Sequence, residues 1–337
     1  MRTHAHFKII RLVQLSTVDV THVRDDNRYR DCVLATLTNL IRGALMGVAE
    51  VIPGVSGGTV ALIVGIYETL INAIANAVLA LRQLIGLRTG GPSPRSATRT
   101  LRSLPWRILI PVAIGMGIAL VLGARFIEPL LEEYPVQMRA LFFGLVLAGV
   151  YVPAHMVIRT APGKWRWQDV IPAAIAAVFL FWLTGLPPAN IVDPSPVVVV
   201  LAAAVAICAL VLPGISGSFL LLSIGLYETT ISAVNDRNFG YLALFAVGAL
   251  IGLASFVTLL KWLLANRARI TLVIITGLMV GSLRALWPWQ TDDRDLLAPS
   301  ENLGMVILLF GVGILIVVGL LIAERRLGIS EEQTDFS

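Results

Sequence analysis

Hydrogen-bond donors collect at two places in this chain, 160 positions apart. Val51-Ile-Pro-Gly-Val-Ser-Gly-Gly-Thr59 runs on to Gly65-Ile-Tyr-Glu-Thr69, and Val211-Leu-Pro-Gly-Ile-Ser-Gly-Ser-Phe219 runs on to Gly225-Leu-Tyr-Glu-Thr229. Over the 25 positions from 51, the two copies are identical at 12, so they are duplicates. Proline keeps the residue before it out of the α region, and glycine reaches dihedrals that other residues avoid. Pro53-Gly54 and Pro213-Gly214 therefore read as turns between half-helices. A half-helix starting at Gly57-Gly58-Thr59, or at Gly217-Ser218-Phe219, presents free backbone N–H groups and the positive end of its dipole. With the hydroxyls of Ser56, Thr59, Ser216 and Ser218, two such ends facing each other would form a pocket for a phosphate or carboxylate. The alternative is that serine and glycine only cap and pack a kinked helix.

Charges within apolar sequence form a second set of candidates, because a charge at the bilayer centre costs at least about 2.5–3.5 kcal/mol. Arg42 and Glu50 flank the first short arm on roughly one side of its helix. Arg42 suits a phosphate head group, with snorkelling at the cytoplasmic interface as the alternative, and Glu50 suits proton uptake. Their counterparts in the second copy are Ala202 and Leu210, so the copies have diverged here. Glu68 and Glu228 are expected to end the apolar stretch of each second half-helix. They read as coupling or gating groups, or as interfacial residues beside belt tyrosines. Arg284, near Trp287 and Trp289, would receive an anionic head group towards the outer face or anchor its helix. His155 reads as structural or surface, and Cys32 and Cys208 match no metal or redox spacing, so no metal or cofactor is expected.

The elements that must position these groups are membrane helices. The 337 residues are 57% apolar and only 14% charged, and the apolar residues come in blocks of the length that crosses a hydrocarbon core. That excludes a soluble enzyme, a disordered chain and a nucleic-acid reader, despite a net charge of +5. The expected fold is an all-α polytopic membrane protein of two inverted repeats, each a broken or re-entrant hairpin plus two transmembrane helices. Residues 1–32 form a polar cytoplasmic segment without an apolar run long enough for a cleavable signal. The first repeat covers 33–158: a broken hairpin over 38–80, a basic cytoplasmic loop over 82–107, and helices over 107–124 and 138–158. Its first arm, 41–52, would reach about 18 Å, roughly half a bilayer. A linking helix over 168–185 leads to the second repeat at 197–287, with a hairpin over 197–234 and helices over 240–263 and 270–287. A last helix over 303–323 and a cytoplasmic tail over 324–337 complete the chain.

Loop charges test this layout. If each broken segment returns to its own side, one face carries Arg82, Arg88, Arg95, Arg99, Arg102 and Arg107, then Arg159, Lys164 and Arg166, then Lys261, Arg267 and Arg269, and finally Arg325 and Arg326. The other carries Glu128, Glu132, Glu133, Asp193, Asp292, Asp293 and Asp295. By the positive-inside rule the basic face is cytoplasmic, with both termini. An odd number of crossings then separates the copies, so they point in opposite directions, as in many secondary transporters. Gly43-x3-Gly47, Gly248-x3-Gly252 and Gly277-x3-Gly281 have the spacing for close helix packing inside the chain, with a homodimer interface as the alternative.

Arg42-Gly-Ala-Leu-Met-Gly-Val-Ala-Glu50 leading into the first break, the second Leu-Pro-Gly-Ile-Ser-Gly-Ser, and Gly281-Ser-Leu-Arg-Ala-Leu-Trp-Pro-Trp289 resemble the PopT family of prokaryotic membrane proteins, over about residues 38–323. The resemblance implies a flippase that returns undecaprenyl phosphate from the outer to the cytoplasmic leaflet of the plasma (inner) membrane. It would thereby recycle the carrier lipid of cell-envelope polymer synthesis. The implied partners are the polyprenyl-phosphate lipid, the bilayer and a coupling proton or other ion. Glu50 stands where many relatives carry Asp, so the carboxylate is kept with a different reach. Residues 1–32 and 82–107 fall outside the shared pattern. A transporter or channel for a small anion or organic acid would use the same pocket. A membrane lipid phosphatase would need a nucleophile with an acid or base, usually histidine, and His155 is the sole histidine beyond the N-terminal tail.

Overall fold

Apolar runs become helices throughout the computed structural model, which describes residues 33–51, 56–86, 93–160, 164–187, 191, 193–291, 293–300 and 302–326. Pro53 and Gly54 lie outside the described residues, as do 1–32 and the tail from 327. In chain order the helices are α1 (Val33–Val51), α2 (Gly57–Ile63), α3 (Tyr67–Ile85), α4 (Pro94–Arg102), α5 (Trp106–Glu133), α6 (Pro135–Gly149) and α7 (Tyr151–Thr160). They continue with α8 (Trp167–Leu183), α9 (Pro196–Val211), α10 (Gly217–Ile224), α11 (Tyr227–Asn235), α12 (Phe239–Asn266), α13 (Ala268–Ser282) and α14 (Leu303–Arg326). No strand occurs among the described residues; a lone antiparallel bridge pairs Gln290 with Leu296. Six helical stretches are long and apolar enough to cross a membrane, or seven if the bent α10–α11 pair forms one span.

Helices stand where crossings are expected, at α5, the α6–α7 span, α8, α12, α13 and α14, with α8 a shorter apolar helix of 17 residues, while three local expectations are corrected. The first arm is not a half-bilayer stub: α1 has 19 residues, about 28 Å of helix. Its polar start is satisfied internally, the Thr38 hydroxyl donating to the Leu34 carbonyl at 2.8 Å and Arg42 donating to Asn39 Oδ1 at 3.2 Å. The 82–107 loop contains α4, whose Ala97 is fully buried. α4 packs on α3, where the Ser93 N–H and the Thr100 hydroxyl both bond Gln83, to its carbonyl and its side chain.

The third correction concerns the Gly-x-Tyr-Glu-Thr motif, which is a second break rather than the tail of a half-helix. Gly65 and Gly225 sit at φ of 72° and 89°, a left-handed conformation that ends α2 and α10 and that side chains with a Cβ avoid. The next residues, Ile66 and Leu226, are fully buried and pin each turn. The α10–α11 bend is 104°. Glu68 and Glu228 consequently open the first turns of α3 and α11, where a carboxylate complements the helix dipole.

Helices approach closely where glycine removes the side chain. A Cβ on Gly115 of α5 would strike the Leu40 carbonyl of α1, and one on Gly248 of α12 would strike the Val200 carbonyl of α9. The two contacts are related by shifts of 133 positions for the glycine and 160 for the carbonyl, the latter the offset between the two duplicated breaks. Gly144 of α6 rests on Phe310 of α14, and its counterpart Gly277 of α13 rests on Ala173 of α8. Each half thus lends its final helix to the other, which fits an internal repeat. The glycines of all three small-residue stripes face helices of the same chain. The principal core gathers Met46, Leu62, Ile71, Phe142, Val257 and Met279 from both halves. Outward faces remain apolar, with Val121, Val178 and Leu315 about 70% exposed, the surface a lipid solvent requires.

Candidate functional site

Ser56, Thr59 and Tyr67, which follow the first break, meet the second break in the interior of the fold. The Gly214 N–H donates to Thr59 Oγ1 at 2.8 Å, and the Ser56 hydroxyl lies 3.3 Å from the Leu210 carbonyl and 3.5 Å from that of Leu212. The Tyr67 hydroxyl, from the start of α3, donates to the Val211 carbonyl at 3.1 Å. Carbonyls freed where α9 stops are thus satisfied by side chains of the first break, which non-helical backbone at membrane depth requires. Ser56, Thr59 and Ser216 are buried, as are Pro213 and Gly214.

Within the first break the helix start is already occupied. Gly57 N–H donates to Glu50 Oε1 at 2.8 Å, and Gly58 N–H to Ser56 Oγ at 3.1 Å. The second break has no carboxylate at the equivalent position, Leu210. There, Ser216 Oγ and Ser218 Oγ share a 2.9 Å hydrogen bond, and Phe219 N–H reaches Ser216 Oγ at 3.5 Å. The Glu50 carboxyl thus takes up the backbone donor that the start of α2 would otherwise offer. Ser56, Gly57, Gly58, Thr59, Gly214 and Glu50 lie together at this junction, with Ser216 and Gly217 on the same break as Gly214. Arg42 is buried two turns earlier on α1 beside Asn39. Glu68 is half-buried in α3, whereas Glu228 is exposed.

Arg284 lies away from this junction. Its guanidinium donates to the carbonyls of Phe181 at 3.4 Å and Arg294 at 3.2 Å, and stands 5.1 Å above the Phe181 ring. It fits because Gly185 has no side chain; a Cβ there would collide with it. Arg294 was not singled out by sequence reasoning. It donates to the Leu186 carbonyl at 2.8 Å and to Ser223 Oγ at 2.9 Å, and packs 4.1 Å over the Phe219 ring. Burial, and then the neighbouring Arg284 cation, press its pKa below the usual arginine value. The available signal was a cation in a loop otherwise rich in aspartate. Phe219 and Ser223 both belong to α10, so one 8-residue helix connects the second break to Arg294.

Interlocked breaks inside an apolar, all-helical body define the class of membrane transporters with discontinuous helices. The chain belongs to the VCA0040-like family, described as undecaprenyl phosphate translocase-like, which matches residues 46–303. It is 35% identical over 254 residues to a polyprenyl-phosphate transporter of Vibrio cholerae serotype O1, covering 75% of this chain and 78% of that protein. It is also 29% identical over 301 residues to a polyprenyl-phosphate transporter of Staphylococcus aureus, covering 86% of this chain and 98% of that one. No solved structure matches. The protein is a transporter and not an enzyme.

Proposed function

We propose that this protein is a flippase that moves undecaprenyl phosphate from the outer to the cytoplasmic leaflet, recycling the carrier lipid of envelope polymer synthesis. The observation that carries the reading is the Thr59–Gly214 and Ser56–Leu210 junction, where two broken segments bring polar groups into an otherwise apolar interior. A polyprenyl phosphate needs such a path for its head alone, since its tail stays in lipid. Ser56, Gly57, Gly58, Thr59, Ser216, Gly217 and Ser218 would contact the phosphate in passage, with Arg42 and Arg284 holding it nearer either face. Oppositely directed repeats would give both leaflets equivalent access, in a plasma (inner) membrane protein with cytoplasmic termini.

Glu50 supplies the coupling in this reading. Its carboxylate and an incoming phosphate compete for the Gly57 N–H, and protonation weakens the carboxylate as an acceptor. Proton uptake and phosphate entry are thereby linked at one donor, with Glu68 and Glu228 as gating groups. The test is surface-exposed polyprenyl phosphate, measured with a membrane-impermeant ligand in cells lacking other translocases. Depletion should raise the exposed pool; an unchanged pool overturns the reading, and loss of uptake of a small anion instead would favour an anion transporter.

A further inference from the structure

Arg284 and Arg294 form a two-cation cluster, the Arg284 guanidinium donating to the Arg294 carbonyl. Among the described residues neither guanidinium has a carboxylate within ion-pairing distance; the ion pair found there is Arg269–Asp169, at the opposite, basic end. Every acceptor that the two arginines use is a backbone carbonyl or the Ser223 hydroxyl, and the buried Nε–H of Arg284 has no partner. Two adjacent cations, partly removed from water and not neutralised, are an unfavourable arrangement that an arriving anion relieves. Arg294 is also held at φ 68°, a region that disfavours residues with a Cβ. A short hairpin fixes it there: Thr291 N–H bonds the Asp295 carbonyl, Arg294 N–H the Thr291 carbonyl, and Leu297 N–H the Trp289 carbonyl.

Beside Arg284, which lines it, runs an apolar groove of about 330 Å³, walled by Phe143, Phe181, Leu283, Trp287, Leu296 and Leu297. A second apolar groove of about 260 Å³ adjoins it across Phe143 and Trp287 and continues along α14. A cationic end and a hydrocarbon-lined continuation match an amphiphile with a compact, doubly charged head.

We propose that Arg284 and Arg294 are the outer reception site for a polyprenyl monophosphate, the phosphate bridging the two guanidinia and the first isoprene units lying against Phe181 and Trp287. The site rests on the transport reading and adds its entry point: α10 connects Arg294, through Phe219 and Ser223, to the second break. Guanidinium forks match phosphate oxygens better than an ammonium does, so lysine replaces either arginine only in part. Gly185 is a positioning residue, since its bare Cα leaves the space in which the Arg284 guanidinium lies.

The test uses the full chain in phosphatidylcholine nanodiscs with farnesyl phosphate bearing a diazirine in its first isoprene unit, and adducts are mapped by mass spectrometry. Saturable labelling of the segments around Phe181, Trp287 and Leu297 is expected. Unlabelled farnesyl phosphate should compete, with farnesol and inorganic phosphate each at least about tenfold weaker. Arg294→Gln and Arg284→Gln should each cut groove labelling about tenfold or more, the weight of a charge-assisted contact. Gly185→Ala, which removes no charge, should cut it too, and this covers the case in which an arginine variant fails to fold. Saturable labelling elsewhere, indifferent to these variants, overturns the site and leaves the transport reading standing. Competition by inorganic phosphate as strong as by farnesyl phosphate overturns the lipid occupant. No saturable labelling anywhere overturns both the site and the transport reading.

Discussion

Glu50 carries two roles that substitution can separate. As the acceptor of the Gly57 N–H it caps a helix start, and in the proposed mechanism it is also the titratable group that couples transport to protons. Glu50→Gln keeps an amide oxygen for the cap and removes titration. It should retain thermal stability in detergent while transport loses its response to the proton gradient; an unchanged response eliminates Glu50 as the coupling group. Glu50→Ala should in addition lose about 1 kcal/mol of helix cap, read as a lower melting temperature. Thr59 is a sharper structural case, because the Gly214 N–H is buried against its hydroxyl. Thr59→Val leaves that donor unsatisfied, at about 1–3 kcal/mol, whereas Thr59→Ser should stay near wild type in the same melt. Thr59 and Ser56 were visible as candidates from their place beside Pro-Gly. Arg294 was not, because nothing near it in sequence announces that Ser223 and Leu186, some 71 and 108 positions away, will receive it.

Elements here are set by where glycine and proline fall. Helix lengths were mostly legible from apolar runs, but α1 began earlier than its hydropathy suggests, because Thr38 and Asn39 bond within their own helix. The second break of each copy was legible only as a motif. Its geometry appears once Gly65 and Gly225 adopt positive φ and Ile66 and Leu226 bury. Helix contacts give a clean contrast within α5. Gly115 abuts the Leu40 carbonyl, whereas nothing lies within 4 Å of a Cβ built on Gly117. Gly115→Ala should force α1 and α5 apart and destabilise by about 1–3 kcal/mol. Gly117→Ala should be neutral or gain up to about 1 kcal/mol of helix propensity. A thermal melt of the two variants, two positions apart, checks this; equal losses would mean that α1 and α5 do not pack as described.

Across the whole molecule, the duplication reaches beyond the motifs. α8 packs on α13 and α14 packs on α6, so each half is completed by a helix from the other. Neither half then buries its own core, and the two should unfold in one transition. The sidedness expected from loop charge is open to direct measurement. In a background with Cys32 and Cys208 replaced, Arg99→Cys on the exposed face of α4 should react with an impermeant thiol reagent only after permeabilisation. Asp295→Cys, in the opposite loop, should react in intact cells. The reverse pattern would invert the topology and put the arginine pair on the cytoplasmic side, where it could not receive lipid from outside.

By itself the sequence determined the solvent and the architecture. Apolar blocks of membrane-spanning length, loop charges segregated by side and two copies of a Pro-Gly-x-Ser-Gly break depend on local chemistry and on spacing along the chain. Only the tertiary structure decided which polar groups meet. Thr59 receives Gly214, Glu50 occupies Gly57, and Arg284 finds Arg294 in the space left by Gly185. Hydrogen bonds and ion contacts act over about 3 Å. Which groups come that close is set by helix packing between distant segments, and no local pattern encodes it.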